Sequence, residues 1–125
     1  GATALVYSRG SVPATTLGML QKGMTSVTAA SKVAYTAVAG DQIVVDTVAN
    51  PVTITLPASP AVGDEVTIMD GSASNGFATN NCIIDRNSEN IEGAAANDTL
   101  ATNNQCVTLI YANAAKGWLY KSTNQ

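Results

Sequence analysis

Apolar and polar residues that alternate one by one, in short runs cut by proline, glycine and asparagine, leave this chain little choice but sheet. Residues 35–70 read YTAVAGDQIVVDTVANPVTITLPASPAVGDEVTIMD. Val52, Ile54 and Leu56 alternate with Thr53 and Thr55, the period of a strand with one buried face. Pro57 and Pro60 have no amide proton to give a ladder and so end that strand. Ala61-Val62-Gly63-Asp64 then turns the chain into a second alternating run over 65–69. Upstream, Val33, Tyr35 and Ala37 alternate, Gly40-Asp41 makes a turn before a strand over 42–48, and Asn50-Pro51 marks the next break.

The same pattern continues downstream. The run GSASNGFATNN after Asp70 is turn-rich and polar, and is expected to be an exposed loop. A short strand is expected over 82–85, a turn over 87–90, an inward Ile91, and a brief strand at Thr99-Leu100. Val107, Leu109 and Tyr111 alternate with Thr108 and Ile110, and 112–116 loops into Gly117 and Trp118-Leu119-Tyr120, a hairpin pattern. Strands at intervals of about ten residues, separated by turn signals, predict an all-β fold: an antiparallel sandwich, jelly-roll-like, or a small barrel. Ala78-Thr79-Asn80-Asn81-Cys82 is echoed by Ala101-Thr102-Asn103-Asn104-Gln105-Cys106. Turn chemistry explains one such repetition, which is too little to define a solenoid.

The first part of the chain is different. Residues 1–40 hold Arg9, Lys22 and Lys32 and no acid, a charge of +3; residues 41–125 hold nine acids with Arg86, Lys116 and Lys121, a charge of −6; the sum is the chain's −3. A strand is expected over 3–8, and a helical turn over 17–22 that Gly18 and Gly23 weaken by roughly 1 kcal/mol each. An acid-free, irregular segment joined to a β domain reads as an arm that lies on another protein, with a loosely packed edge of the same domain as the competing reading. The expected organisation is an irregular N-terminal arm over 1–32, with Arg9, Lys22 and Lys32 as contacts, and a β domain over 33–125.

Composition narrows the chemistry. There is no histidine among the 125 residues, which removes the commonest general base and metal ligand. Cys82 and Cys106 are too few and too far apart for structural zinc, and two free buried thiols are expected rather than a bridge. Asp85-Arg86-Asn87-Ser88-Glu89 spaces oxygens as a calcium loop does, but Asn90 and Ala96 stand where that loop needs glycine and an acid. Asp64 and Glu65 are adjacent and point to opposite faces of a strand. Glu89 and Glu92 could approach one another as a glycosidase pair does, but nothing singles them out. Six dispersed basic residues make no stripe for nucleic acid. No run is apolar over the roughly 18 residues of a membrane span, and the opening GATALVYSRG lacks the basic lead and apolar core of a secretory signal. A soluble protein without catalytic residues, metal or cofactor is expected. Charged residues are 12% of the chain against roughly 25% in an average domain, so part of the surface is expected to be covered by neighbouring subunits. Trp118 and Tyr120 share a face of the last strand and, with Tyr111, are candidates for a subunit or ligand contact; the core is the competing place for them.

The order of these segments resembles a β module of bacteriophage virion proteins, in tail fibres and in capsid decorations or head fibres. The resemblance spans residues 35–120. It is carried by Tyr35-Thr36-Ala37-Val38, Gly40-Asp41, Ile54-Thr55-Leu56-Pro57, Gly63-Asp64-Glu65-Val66, Ile84-Asp85-Arg86-Asn87, Ile91-Glu92-Gly93, Val107-Thr108-Leu109-Ile110-Tyr111 and Gly117-Trp118. It implies a virion structural module, trimeric and not an enzyme, assembled in the bacterial cytoplasm. The short chain and basic front favour a capsid decoration (cement) protein or short head fibre bound to the major capsid protein. The alternative is a tail-fibre or receptor-binding domain that reads host glycan or protein with loops 71–81 and 112–116.

Overall fold

The computed structural model of the chain describes residues 24–28 and 32–124. They form nine strands: β1 (Met24–Thr28), β2 (Ala34–Thr36), β3 (Gln42–Asp46), β4 (Val52–Thr55), β5 (Glu65–Asp70), β6 (Cys82–Asp85), β7 (Asp98–Leu100), β8 (Cys106–Asn113) and β9 (Gly117–Asn124). The expected strand over 3–8, the helical turn over 17–22, Arg9 and Lys22 lie outside the described residues.

The strands make two sheets, a five-stranded one in the order β1-β3-β5-β8-β9 and a four-stranded one in the order β2-β4-β6-β7. Through β6 the chain visits the two sheets alternately, laying each strand parallel to the one before it in the same sheet. Only then does it reverse, with β7 antiparallel to β6, β8 to β5 and β9 to β8. The sandwich-like all-β class stands, but two parts of the expectation are corrected. Four of the seven pairings are parallel rather than antiparallel, whereas a jelly roll is built from antiparallel neighbours. Nor do the sheets close into a barrel; each keeps two edge strands.

Two near-identical turns explain the winding. Before β3, the Asp41 carboxylate accepts the Val38 amide at 2.9 Å while the Asp41 amide donates to the Val38 carbonyl at 3.1 Å. Before β5, Asp64 does the same with Ala61, at 2.9 and 3.0 Å. An aspartate again closes the end of β3, β5 and β6. Asp46, Asp70 and Asp85 each accept the amide two residues on, from Val48, Ser72 and Asn87, all at 2.9 Å. Such short side-chain bonds re-aim the backbone where a ladder stops.

Inward side chains of both sheets form one core: Ile43, Val45, Val66, Ile68, Val107 and Leu109 from the larger, Val52, Ile54, Cys82, Ile84 and Leu100 from the smaller. Each fully buried aliphatic side chain stabilises the fold by about 1.5–3 kcal/mol. The expected boundary between residues 32 and 33 falls inside this structure, because β1 already belongs to the five-stranded sheet. The run after Asp70 is also more than an exposed loop: Phe77 in its middle has no exposed surface and packs in the core.

Candidate assembly surface

The two outer faces differ in chemistry. On the five-stranded sheet, the register sets Val44 beside Met69 and Met69 beside Cys106. A second row runs from Glu65 to Ile110 to Leu119. Between the rows the hydroxyls of Thr67 and Thr108 meet at 3.0 Å. Val44, Met69, Cys106, Ile110 and Leu119 are all partly exposed, and at the rim Lys121 pairs with Glu65 at 2.9 Å. The outer face of the smaller sheet instead carries Thr36, Thr53, Thr55, Thr99 and Asp85, with Ile83 the one large aliphatic residue. A sheet face turned to water is normally polar. Aliphatic and sulfur-containing side chains across four strands suit burial against another protein surface.

The aromatic residues expected at a contact are placed elsewhere. Trp118 is completely buried and Tyr111 is 7% exposed; their rings meet edge to face with centroids 5.6 Å apart. The Tyr111 hydroxyl donates to Glu89 at 2.9 Å. Tyr120 is half-buried against the same core and donates its hydroxyl to Asp98. Trp118 and Tyr111 are therefore core residues, and Tyr120, expected with them at a subunit or ligand contact, is packed partly buried against that core, so the three do not form an open platform. The cause is residues 86–97, which cross from β6 to the edge of β9: Trp118 donates to the Asn90 carbonyl at 2.8 Å and Glu92 to the Trp118 carbonyl at 2.8 Å. Burial, and Asp98 as acceptor, push the Tyr120 hydroxyl well above its ordinary pKa. Hydrogen bonding to Glu89, then burial, raises that of Tyr111. Both stay protonated donors at neutral pH.

No protein-family model matches the chain, and no curated protein matches it either.

Of the three basic residues expected to contact a partner, Lys32 is described. It is exposed, with its ammonium 5.5 Å from the centre of the Tyr35 ring. The carboxylates weighed for catalysis are engaged in the fold: Glu89 with Tyr111, Glu92 with the Tyr120 amide, Asp64 in its turn and Glu65 with Lys121. Among the described residues no three His, Cys, Asp or Glu side chains gather as a metal site, and no helix is long and apolar enough to cross a membrane. The thiols are free, and they lie in different sheets. Burial, with the Asp70 charge adding to it, pushes the Cys82 thiol up to about 12, which leaves it protonated and inert. The loops expected to read a receptor, 71–81 and 112–116, follow opposite ends of the β5–β8 pair and so do not share one site.

Asp70 is the residue that sequence reasoning passed over. Its carboxylate accepts the amides of Ser72 at 2.9 Å, Phe77 at 3.1 Å and Asn104 at 3.1 Å, tying loop 71–81 to the turn before β8. Burial pushes this carboxyl up, but the bonds from Ser72, Phe77 and Asn104 outweigh burial and hold it below its ordinary pKa. A depressed carboxylate stabilises the fold above its unfolded pKa and ceases to as pH falls through its folded one. The wild type should therefore lose stability on acidification below about pH 4, and Asp70→Asn should flatten that part of the profile. At neutral pH, Asp70→Ala should cost about 1–2 kcal/mol by leaving the amides of Ser72, Phe77 and Asn104 without this acceptor, the buried Phe77 amide most of all. Chemical denaturation at several pH values checks all three.

Proposed function

We propose that this chain is a structural protein of a bacteriophage virion, a capsid decoration (cement) protein or short head fibre. It trimerises through its β domain and binds the major capsid protein through its basic first residues. The ordered strands and turns that resemble such modules support this reading. So do carboxylates engaged in the fold rather than gathered in a cleft. The observation that carries it is the outer face of the five-stranded sheet, where Val44, Met69, Cys106, Ile110 and Leu119 are left partly exposed in cross-strand rows.

The mechanism is mechanical. Copies joined through this face bury apolar surface worth roughly 25 cal/mol per Å², reduced by the cost of ordering the groups that meet. A trimer fixed across neighbouring capsomers adds contact that resists outward pressure from packaged DNA. Arg9, Lys22 and Lys32 pair with acids on the shell, each exposed pair adding about 0–1 kcal/mol, so they govern which surface is bound more than how tightly.

Charge reversal in the intact chain (Arg9→Glu, Lys22→Glu and Lys32→Glu together) keeps β1 in place, as removing residues 1–32 would not. Mixed with undecorated capsids and sedimented, the wild type should travel with the particles and the reversed protein should stay behind, still oligomeric. Equal capsid binding by both would count against the basic contact. Binding of the wild type to host cells but not to capsids would favour a tail-fibre role.

A further inference from the structure

One carboxylate fastens the end of the core where β5 gives way to loop 71–81. Asp70 accepts the Ser72 amide on Oδ1 at 2.9 Å and those of Phe77 and Asn104 on Oδ2, both at 3.1 Å. Gly76 is pressed against the same oxygen: a Cβ there would stand 2.6 Å from Oδ2 and 2.6 Å from Asn103 Oδ1. Both carboxylate oxygens thus face amide donors. An ionised carboxylate only accepts, whereas the neutral acid carries an O–H of its own and would set it among those donors. Bonds to the charged form are also roughly twice as strong as neutral ones.

The other ties of the loop join neutral groups. Thr47 meets Ser72 and the Asn75 carbonyl, Asn80 donates to the Thr47 carbonyl, and Ala78 donates to Asn103. Neither 71–81 nor 101–105 contains a charged side chain. The strands packed around this end bring Asp46, Cys82 and Cys106 to it, from β3, β6 and β8, and none of the three strands contains lysine or arginine. Asp46 serves the Val48 amide, Cys106 lies on the outer face, and the Cys82 thiol stays protonated with the Asp70 charge close by. Asp70 is therefore the one tie of the loop that responds to acid.

We propose that Asp70 is a proton-operated latch: when its carboxylate takes up a proton, residues 71–81 lift from the end of the core and uncover Phe77 and Cys82 while both sheets stay paired. Phe77 lies within the loop and Cys82 follows it directly, and neither has any exposed surface with the loop closed. Because the amide bonds hold the carboxyl below its ordinary pKa, the closed loop takes the proton less readily than the open one. Opening is then insensitive to pH near neutrality, grows easier as pH falls below about 4, and levels off once the closed form is protonated too. The latch is a property of this chain and does not rest on the virion reading.

The test is labelling of the intact chain with an aromatic disulfide reagent from neutral pH down to about pH 3. The modified cysteine is assigned by peptide mass, and its rate is divided by that of a free cysteine peptide at the same pH. Labelling of Cys82 should rise by up to about tenfold per pH unit below about pH 4 and then level off. Low urea should barely change that rate, because a local opening exposes little surface. Asp70→Asn should label at least about tenfold faster than the wild type at neutral pH and show no further rise in acid. Asp46→Asn, at the same end, should keep the wild-type profile. A Cys82 rate that is flat in acid, or that climbs steeply with urea as global unfolding would make it, overturns the latch. So does an Asp70→Asn protein that follows the wild-type profile, or an Asp46→Asn protein that loses it. Should Asp70→Asn fail to fold, the wild-type acid and urea series and the Asp46→Asn control still decide.

Discussion

Alanine at Gly117 should destabilise the protein by about 3 kcal/mol or more, in large part through backbone that no side-chain movement can relieve. Gly117 has φ +69°, and a Cβ there would stand 2.8 Å from the Cα of Asn90 and closer still to its carbonyl. That carbonyl is the one Trp118 donates to, so the clash falls on the seam between the 86–97 crossing and β9. The left-handed backbone alone costs a side chain roughly 1–2 kcal/mol; the remainder is the cost of parting the seam. Gly63 supplies the control, because it also has positive φ, +95°, but no atom lies within 4 Å of a Cβ placed there. Gly63→Ala should lose only the conformational share. Denaturant titration of the two variants checks the difference, and equal losses would mean that residues 90–93 do not lie against β9.

Phe77→Ala should cost about 3–5 kcal/mol, the range for truncating a buried aromatic residue. Phe77 has no exposed surface although its neighbours are glycine, serine, asparagine, alanine and threonine. Its amide is held by Asp70, that of Ala78 by Asn103 at 3.0 Å, and the Asn80 side chain donates to the Thr47 carbonyl at 2.8 Å. The loop is thereby pinned at three points while its one large side chain fills the end of the core. An exposed loop residue would lose less than about 0.5 kcal/mol on the same change, so thermal melting separates the two descriptions cleanly.

Alternation made most strands legible. Val52, Ile54, Val66, Ile68, Val107 and Leu109 are all buried, and the hairpin of β8 and β9 lies where its pattern put it. Strand direction was not legible, because a half-buried strand shows the same period beside a parallel or an antiparallel neighbour. The proline turn at 57–60 illustrates this: it joins β4 to β5, which belong to different sheets. The repeat that marks the winding was in view as two Gly-Asp turns, at 40–41 and 63–64. The Asn-Asn echo at 78–82 and 101–106 leads into strands of different sheets. Phe77 was hidden by its polar neighbours, and β1 by the small and polar residues around it. The burial of Trp118 and Tyr111 depends on residues 86–97 folding over the sheet end, a long-range contact that no local pattern announces. For the assembly surface, the outward positions of β3, β5 and β8 were readable as apolar, but only the register joins Val44, Met69 and Cys106 in one row.

That row is best tested by the mass of the intact chain in solution, measured by light scattering beside a variant carrying Met69→Glu and Ile110→Glu. Both substitutions lie on the outer face and leave the core untouched, so the variant should remain folded. Three copies for the wild type and one for the variant is the predicted result. A wild type that runs as a single copy, or a variant that keeps the wild-type mass, would contradict assembly through this face.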